Sequence, residues 1–222
     1  MDSATFADPA VVGFAKDFVF ARFNGKADST LKEQLKVSGY PTTILFKPDG
    51  NEVDRLFGYF PPDSFMLEIN HYLAGVNTLD DYLKRVAAVP ADLILHYTLG
   101  GKYTARSMFD QARMHYGLVR VLDPKNEEGL ADDASYYLAY LSRKEKKWHE
   151  AIDGFRAMIE GFPDSELRED AEVYIPWLYA QAGDSTQAVK YYREFLANFP
   201  ESEETEWVTE QIDKIEHPEP EE

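Results

Sequence analysis

Hydrophobic positions in the first 75 or so residues alternate between two periods. Runs of β-forming residues occupy 18–23, 42–46 and 52–59. Stretches with apolar residues three or four positions apart, typical of amphipathic helices, occupy 9–15, 29–37 and 62–74. Turn signals such as Pro48, Asp49 and Gly50 separate neighbouring runs,. The pattern predicts an α/β region with the order α-β-α-β-β-α.

From Thr78 onward the strand signals end, and a helical period with an internal repeat continues almost to the end of the chain,. In each repeat an alanine is followed by an aromatic residue four positions later, a bulky apolar residue seven positions later and a proline twelve positions later. The alanines are Ala112, Ala151 and Ala188, the aromatic residues are Tyr116, Phe155 and Tyr192, the bulky apolar residues are Val119, Met158 and Phe195, and the prolines are Pro124, Pro163 and Pro200. A small alanine lets two antiparallel helices approach closely, and proline ends the second helix of each pair. Because one pair cannot bury its apolar face alone, the pairs are expected to stack.

This repeat resembles the tetratricopeptide repeat, and the resemblance implies an all-α solenoid of helical hairpins. We place the repeats at about 90–126, 132–165 and 167–201, within a region that spans 77–217 and ends in a capping helix. The short acidic tail, 218–222, is expected to be disordered,.

The resemblance also implies a groove that binds peptides. The core residue of each first helix is Leu99, Leu138 or Ile175. Residues two positions before and after it point to roughly the opposite side of the helix, and those that could line the groove are Tyr97, Tyr136, Tyr140, Val173 and Trp177. Tyr and Trp are effective binding anchors because they offer large contact area at low entropic cost. The alternative interpretation is that these side chains pack between repeats.

The first region, 1–76, resembles the thioredoxin family from just after its active site. The resemblance rests on the stretch GYPT, followed by PDG in a hairpin turn and then by LFGY. It implies a cis proline at Pro41 and the docking of an extended peptide at Tyr40 and Pro41. The alternative is that Pro41 only shapes the entry to a strand.

The first half of that family's fold, including its C-x-x-C motif, is missing here. The chain contains no cysteine, so it has no thiolate for disulfide chemistry,. Either the start was placed at an internal Met or the chain is a true truncation. The family's missing strand lies between those matching 18–23 and 42–46. Without it, either those two strands close up or polar sheet edges stay open, and open edges invite pairing with a second copy of the chain.

Composition and charge limit the classes of partner that the chain is expected to bind. The net charge is −17, and no basic patch suited to a nucleic acid is evident,. The same charge disfavours an acidic ligand in the groove. No apolar run approaches the roughly 20 residues of a membrane span. The five histidines show no metal-ligand spacing, and no cofactor motif is present,.

These observations predict an adaptor that binds peptide or protein clients through the repeat groove and has no redox activity without cysteine. The alternative is the C-terminal portion of a thiol-disulfide oxidoreductase whose C-x-x-C lies upstream of Met1. A true start at Met1 predicts a cytoplasmic protein. An upstream signal peptide would instead make it periplasmic or secreted.

Overall fold

The computed structural model describes residues 4–218 and shows a mostly helical protein with one two-stranded sheet. The described chain divides into two compact units, Met1–His115 and Tyr116–Glu222. The first unit contains α1 (Pro9–Phe14), a 3-10 turn (Ala15–Asp17), α2 (Ser29–Gln34), β1 (Thr42–Phe46), β2 (Glu52–Phe57), α3 (Pro62–Leu73), α4 (Leu79–Ala88) and α5 (Leu93–Ala105). Helix α6 (Phe109–Leu122) runs across the division. The second unit contains α7 (Ala131–Lys144), α8 (Trp148–Gly161), α9 (Arg168–Gln181), α10 (Ser185–Asn198) and α11 (Thr205–Glu216).

The sheet of the first unit is an antiparallel hairpin in which Ile44 of β1 lies opposite Arg55 of β2. The predicted turn closes it, and the Asp49 carboxylate accepts a hydrogen bond from the Asn51 amide at 2.9 Å. Leu56 of β2 is buried in a small apolar core that it shares with residues of α1 and α3. This core comprises Val11, Leu56, Phe65, Ile69 and Tyr72.

The strand predicted at Phe18–Phe23 does not form, and that prediction is wrong. The segment has no regular secondary structure, and Val19 is 100% exposed. A strand needs a neighbour for its N–H and C=O groups, and the sheet within residues 4–218 consists of β1 and β2 alone. The thioredoxin-like arrangement of 1–76 therefore stays a prediction. Pairing of a second copy at the open edges of β1 and β2 also stays a prediction.

Polar contacts join the hairpin of the first unit to its later helices. The fully buried Asp54 of β2 forms ion pairs with Lys102 at 2.9 Å and with Arg106 at 2.6 Å. Its carboxylate also accepts hydrogen bonds from the amides of Arg55 and Leu79, at 2.7 and 2.6 Å. The domain boundary predicted at residue 76 stays a prediction, but buried ion pairs cross that position.

The second unit is built from helical hairpins with the predicted packing. Ala151 and Ala188 are completely buried, and so is Phe155, four positions after the first of them. The two helices of the α7–α8 hairpin come so close that a Cβ atom on Gly154 would lie 2.9 Å from Cβ of Ala139. The large residues therefore fill the space beside a close helix contact, as the repeat predicts. The expected disorder of the tail concerns residues that lie, apart from Pro218, outside the described part of the chain.

Candidate functional site

Three aromatic side chains surround one arginine on the neighbouring first helices of the second unit. Helix α7 supplies Tyr140 and Arg143, and α9 supplies Tyr174 and Trp177. Each pair is three positions apart, so both members lie on one face of their helix. The Arg143 Cζ atom lies 4.7 Å from the Tyr140 ring centre, 4.6 Å from that of Tyr174 and 5.3 Å from that of Trp177. We call these four residues the arginine cage.

The guanidinium of Arg143 is held by rings rather than by acids. Its Nε atom is buried without a hydrogen-bond partner, and Arg143 forms no ion pair within residues 4–218. Two other arginines of this unit have carboxylate partners, Arg168 with Glu172 at 2.9 Å and Arg193 with Glu216 at 2.7 Å. Attraction between a cation and ring faces, about 1 to 2 kcal/mol per favourable contact when partly desolvated, keeps Arg143 in place.

Further aromatic contacts support the cage from beneath. The Trp148 and Trp177 rings pack edge to face with their centres 6.0 Å apart. The completely buried Phe155 stacks on Tyr174 with 5.5 Å between ring centres. Such ring pairs add to the stability that burial alone gives. The cage residues themselves are half-buried, so part of each remains open to solvent on a firmly packed base.

The structure brings together two of the five predicted groove residues, Tyr140 and Trp177, in the cage. Tyr136 and Val173 are buried in the core, with 7% and 9% of their surface exposed. The burial of these two side chains agrees with the alternative interpretation, packing between repeats, and their role in partner binding stays a prediction. Burial, together with the nearby Tyr174, raises the pKa of Tyr136 above its usual value, so its hydroxyl stays neutral. Tyr97 is half-buried on α5 in the first unit.

The second predicted site, Tyr40 and Pro41, lies at the start of β1. The Tyr40–Pro41 peptide bond is cis, as the thioredoxin resemblance implies. Both residues are exposed, and the Lys32 ammonium lies 5.7 Å from the Tyr40 ring centre. Peptide docking at these two residues stays a prediction.

Two buried polar clusters in the first unit could in principle perform proton chemistry. Burial opposes the charge on Asp54, but Lys102 and Arg106 outweigh it and hold the pKa of that carboxyl below its usual value. His96 and His115 face each other with their Nδ1 atoms 2.9 Å apart. Burial, and secondarily His96, lower the pKa of His115 to about 4. Because both clusters are buried and satisfied by neighbouring groups, we assign them to stability.

Arg143 and Tyr174 were missed by the sequence analysis. Both lie three positions from a predicted groove residue, Arg143 after Tyr140 and Tyr174 before Trp177. Helical spacing therefore carried the signal. The predicted groove residues lie two positions from a core residue such as Leu138 or Ile175, and this spacing also includes the buried Tyr136 and Val173.

One protein family matches the part of the chain that contains the arginine cage. Residues 130–209 match the model of a family described as YfiO, outer membrane lipoprotein. The match spans α7 to α10 and the beginning of α11. Together with the observed helical hairpins, it establishes a tetratricopeptide-like region here.

No curated protein matches the chain. Across the described part of the chain, none of the helices has the length and apolar character needed to cross a bilayer. Residues 4–218 contain no group of three or more His, Asp or Glu side chains placed to hold a metal ion.

Proposed function

We propose that this protein is an interaction module that binds an extended segment of a protein partner across the face formed by α7 and α9. The observation that carries the proposal is the arginine cage, in which large aromatic side chains on adjacent repeats pack against the core and are still only half-buried. Tyr and Trp at such positions bury much apolar area on binding and lose little conformational entropy. The tetratricopeptide-like region supports the same class of function.

The family match supports one of the two expected places of action. The matched family is described as an outer membrane lipoprotein, which supports a role outside the cytoplasm and agrees with the periplasmic or secreted expectation. The match gives no support to the oxidoreductase alternative. We therefore propose a binding protein of the cell envelope whose partner is another polypeptide.

The proposal can be tested by selecting displayed random peptides against the whole chain. Selected peptides are then titrated against the wild type, Tyr140→Ala and Trp177→Ala. Loss of an aromatic anchor is expected to weaken binding about tenfold or more. Trp207→Ala serves as the matched control, because Trp207 lies on α11, contacts Tyr192 and is not a member of the cage.

Two outcomes would count against this site. Unchanged affinity in both cage variants would remove the face of α7 and α9 as the binding surface. Affinity that falls in Tyr40→Ala instead would move the function to the predicted site at Tyr40 and Pro41.

A further inference from the structure

Arg143 has unused hydrogen-bonding capacity at the centre of the proposed binding face. A guanidinium has five N–H donors and always carries its charge. Its central carbon lies over the Tyr140, Tyr174 and Trp177 rings, and Nε is buried without a partner. We infer that Arg143 anchors the partner by binding the carboxylate of a single Asp or Glu side chain. The inference rests on the proposed function and specifies the chemistry of its ligand.

The cage prepares Arg143 for this role. Three ring contacts restrain the guanidinium, so less side-chain entropy remains to be lost when a ligand binds,. The terminal nitrogens at the edge of the guanidinium plane match the two oxygens of a carboxylate, and such pairs are often bidentate. Partial burial strengthens the interaction, because the screening by water is reduced.

The charge around Arg143 differs from that of the chain as a whole. The chain carries a net charge of −17, yet residues 143–147 contain four basic residues and one acidic residue. The ammonium of Lys144 lies 5.4 Å from the Tyr140 ring centre, and Lys146 is exposed in the turn after α7. At physiological salt, charges farther away than about 8 Å are largely screened. The basic residues at this end of α7 therefore offset part of the chain's negative charge near Arg143, although Asp170 lies one helical turn before Tyr174 on α9.

A simpler explanation covers the other basic residues but not Arg143. Lys and Arg at the C-terminal end of a helix are favourable because they offset its dipole and can donate to its last carbonyls. Arg106 does this in the first unit, donating to the Lys102 carbonyl at 3.0 Å. Arg143 is directed onto rings of the next repeat instead, which a purely capping arginine does not require.

The surroundings also limit the ligand. Tyr and Trp rings beside Arg143 favour apolar or aromatic neighbours of the bound acid. A run of acidic residues would extend beyond the basic residues at the end of α7 and be repelled by the rest of the chain. The expected ligand is therefore an extended polypeptide with one carboxylate side chain among uncharged residues.

The test uses an array of synthetic peptides with acetylated and amidated ends, which are uncharged apart from one central Glu among apolar, aromatic and hydroxyl residues. Each peptide has a twin with Gln in that position and a second Gln twin with a free C-terminal carboxylate. Wild type, Arg143→Gln, Arg143→Lys and the control Arg193→Gln are titrated against the array. Circular dichroism and thermal unfolding establish that each variant is folded.

We expect the wild type and Arg193→Gln to prefer Glu peptides over their Gln twins by about five- to tenfold. The preference should vanish in Arg143→Gln and fall in Arg143→Lys, which keeps the charge but loses the planar fork. Residual binding of both twins to Arg143→Gln would show that the aromatic face still works. A double-mutant comparison of this kind isolates the pair from general effects on binding.

Several results would overturn the inference. The wild type could bind the Glu peptides no more tightly than their Gln twins. Arg143→Gln could keep the preference for Glu, or the wild type could prefer the Gln twin with a free C-terminal carboxylate over the Glu peptide. In all three cases, peptide binding that is sensitive to Trp177→Ala would leave the proposed function standing. If no peptide on the array binds the wild type, and none is recovered by display selection, both the inference and the proposed function fail.

Discussion

The two units of this protein are stabilised in different ways. The first unit has a small apolar core around Leu56 and Phe65, and it joins its hairpin to its later helices through a buried carboxylate with two cationic partners. The second unit repeats one arrangement of small and large apolar residues from hairpin to hairpin. Repeated apolar packing distributes stability over many similar contacts, whereas the ion pairs of the first unit make it sensitive to the loss of a single buried partner.

The difference also separates stability from recognition. In the first unit Asp54, Lys102 and Arg106 turn inward and satisfy one another, so these three offer little to a ligand. In the second unit Arg143 lies among aromatic rings and is half-buried. The buried ion pairs therefore serve stability, whereas Arg143 is partly open to a ligand.

The largest expected effect tests the apolar core of the second unit. Phe155→Ala removes a completely buried ring that contacts Tyr136 at 5.3 Å and Tyr174 at 5.5 Å between ring centres. The lost burial and the resulting cavity should lower the free energy of unfolding by about 3 to 5 kcal/mol. Chemical denaturation measures this loss. Val121→Ala, at a side chain that is 72% exposed, should change it by less than about 1 kcal/mol.

The next effect tests the polar core of the first unit. Asp54→Asn removes the carboxylate that pairs with Lys102 and leaves that ammonium buried, whereas Arg106 keeps Glu52 as a partner at 2.8 Å. Breaking a buried ion pair in this way costs about 3 kcal/mol or more. Hydrogen exchange of the β2 and α5 amides measures the loss. Asp49→Asn, at an exposed carboxyl in the hairpin turn, should leave the exchange rates nearly unchanged. Equal effects from the two substitutions would mean that the ion pairs do not hold this unit together.

A smaller effect depends on pH and on the paired histidines. The pKa of His115 is lowered to about 4 from an ordinary 6.5. Between these values the unfolded chain binds a proton that the folded chain does not, so stability falls as pH falls through this window. The loss should reach at most about 3 kcal/mol by pH 4, and it becomes negligible about one pH unit above the ordinary pKa of 6.5,.

Replacing His115 by a residue that does not titrate tests whether His115 causes stability to fall as the pH falls from 6.5 to 4. His115→Asn keeps a group able to hydrogen-bond His96, and its stability should depend less on pH between 4 and 6.5. Subtracting the variant's free energy of unfolding from that of the wild type at each pH removes the contribution of the carboxyl groups that both proteins share. A difference that does not change with pH would show that His115 titrates normally in the folded protein.

The repeats could be predicted from the sequence because their contacts recur at fixed spacing. Alanine at 151 and 188, with an aromatic residue four positions later, fixed both the helices and their buried faces. The segment at 18–23 could not be predicted in the same way. Its residues favour a strand, but strand formation depends on a neighbour elsewhere in the chain. The ion pairs of Asp54 are also non-local, because Lys102 lies 48 positions away.

The candidate site shows the same limit at a finer scale. Helical spacing placed Tyr140 and Trp177 on accessible faces, but it gave the same assignment to Tyr136 and Val173, which are buried. Which face is covered depends on how closely successive helices approach, and that distance follows from small residues on the partner helix. The role of Arg143 depends on rings from two helices, so no single helix pattern contains it.

The smallest expected effect measures that close approach directly. In an open helix position, Gly→Ala stabilises by about 0.5 to 1 kcal/mol, because alanine loses less conformational freedom on folding. Gly117 of α6 is such a position, since no heavy atom lies within 4 Å of a Cβ added there. At Gly154 the added Cβ would lie 2.9 Å from Cβ and 3.2 Å from Cα of Ala139. The helices must then separate, at a cost of about 1 to 3 kcal/mol.

Gly154→Ala should therefore lower the midpoint of thermal unfolding, and Gly117→Ala should raise it slightly. The opposite signs of the same substitution separate helix propensity from helix contact, which a single variant cannot do. Equal increases in both variants would mean that α7 and α8 do not depend on the close contact at Ala139. In that case the packing code read from the repeats would describe the positions of the helices but not the reason for their stability.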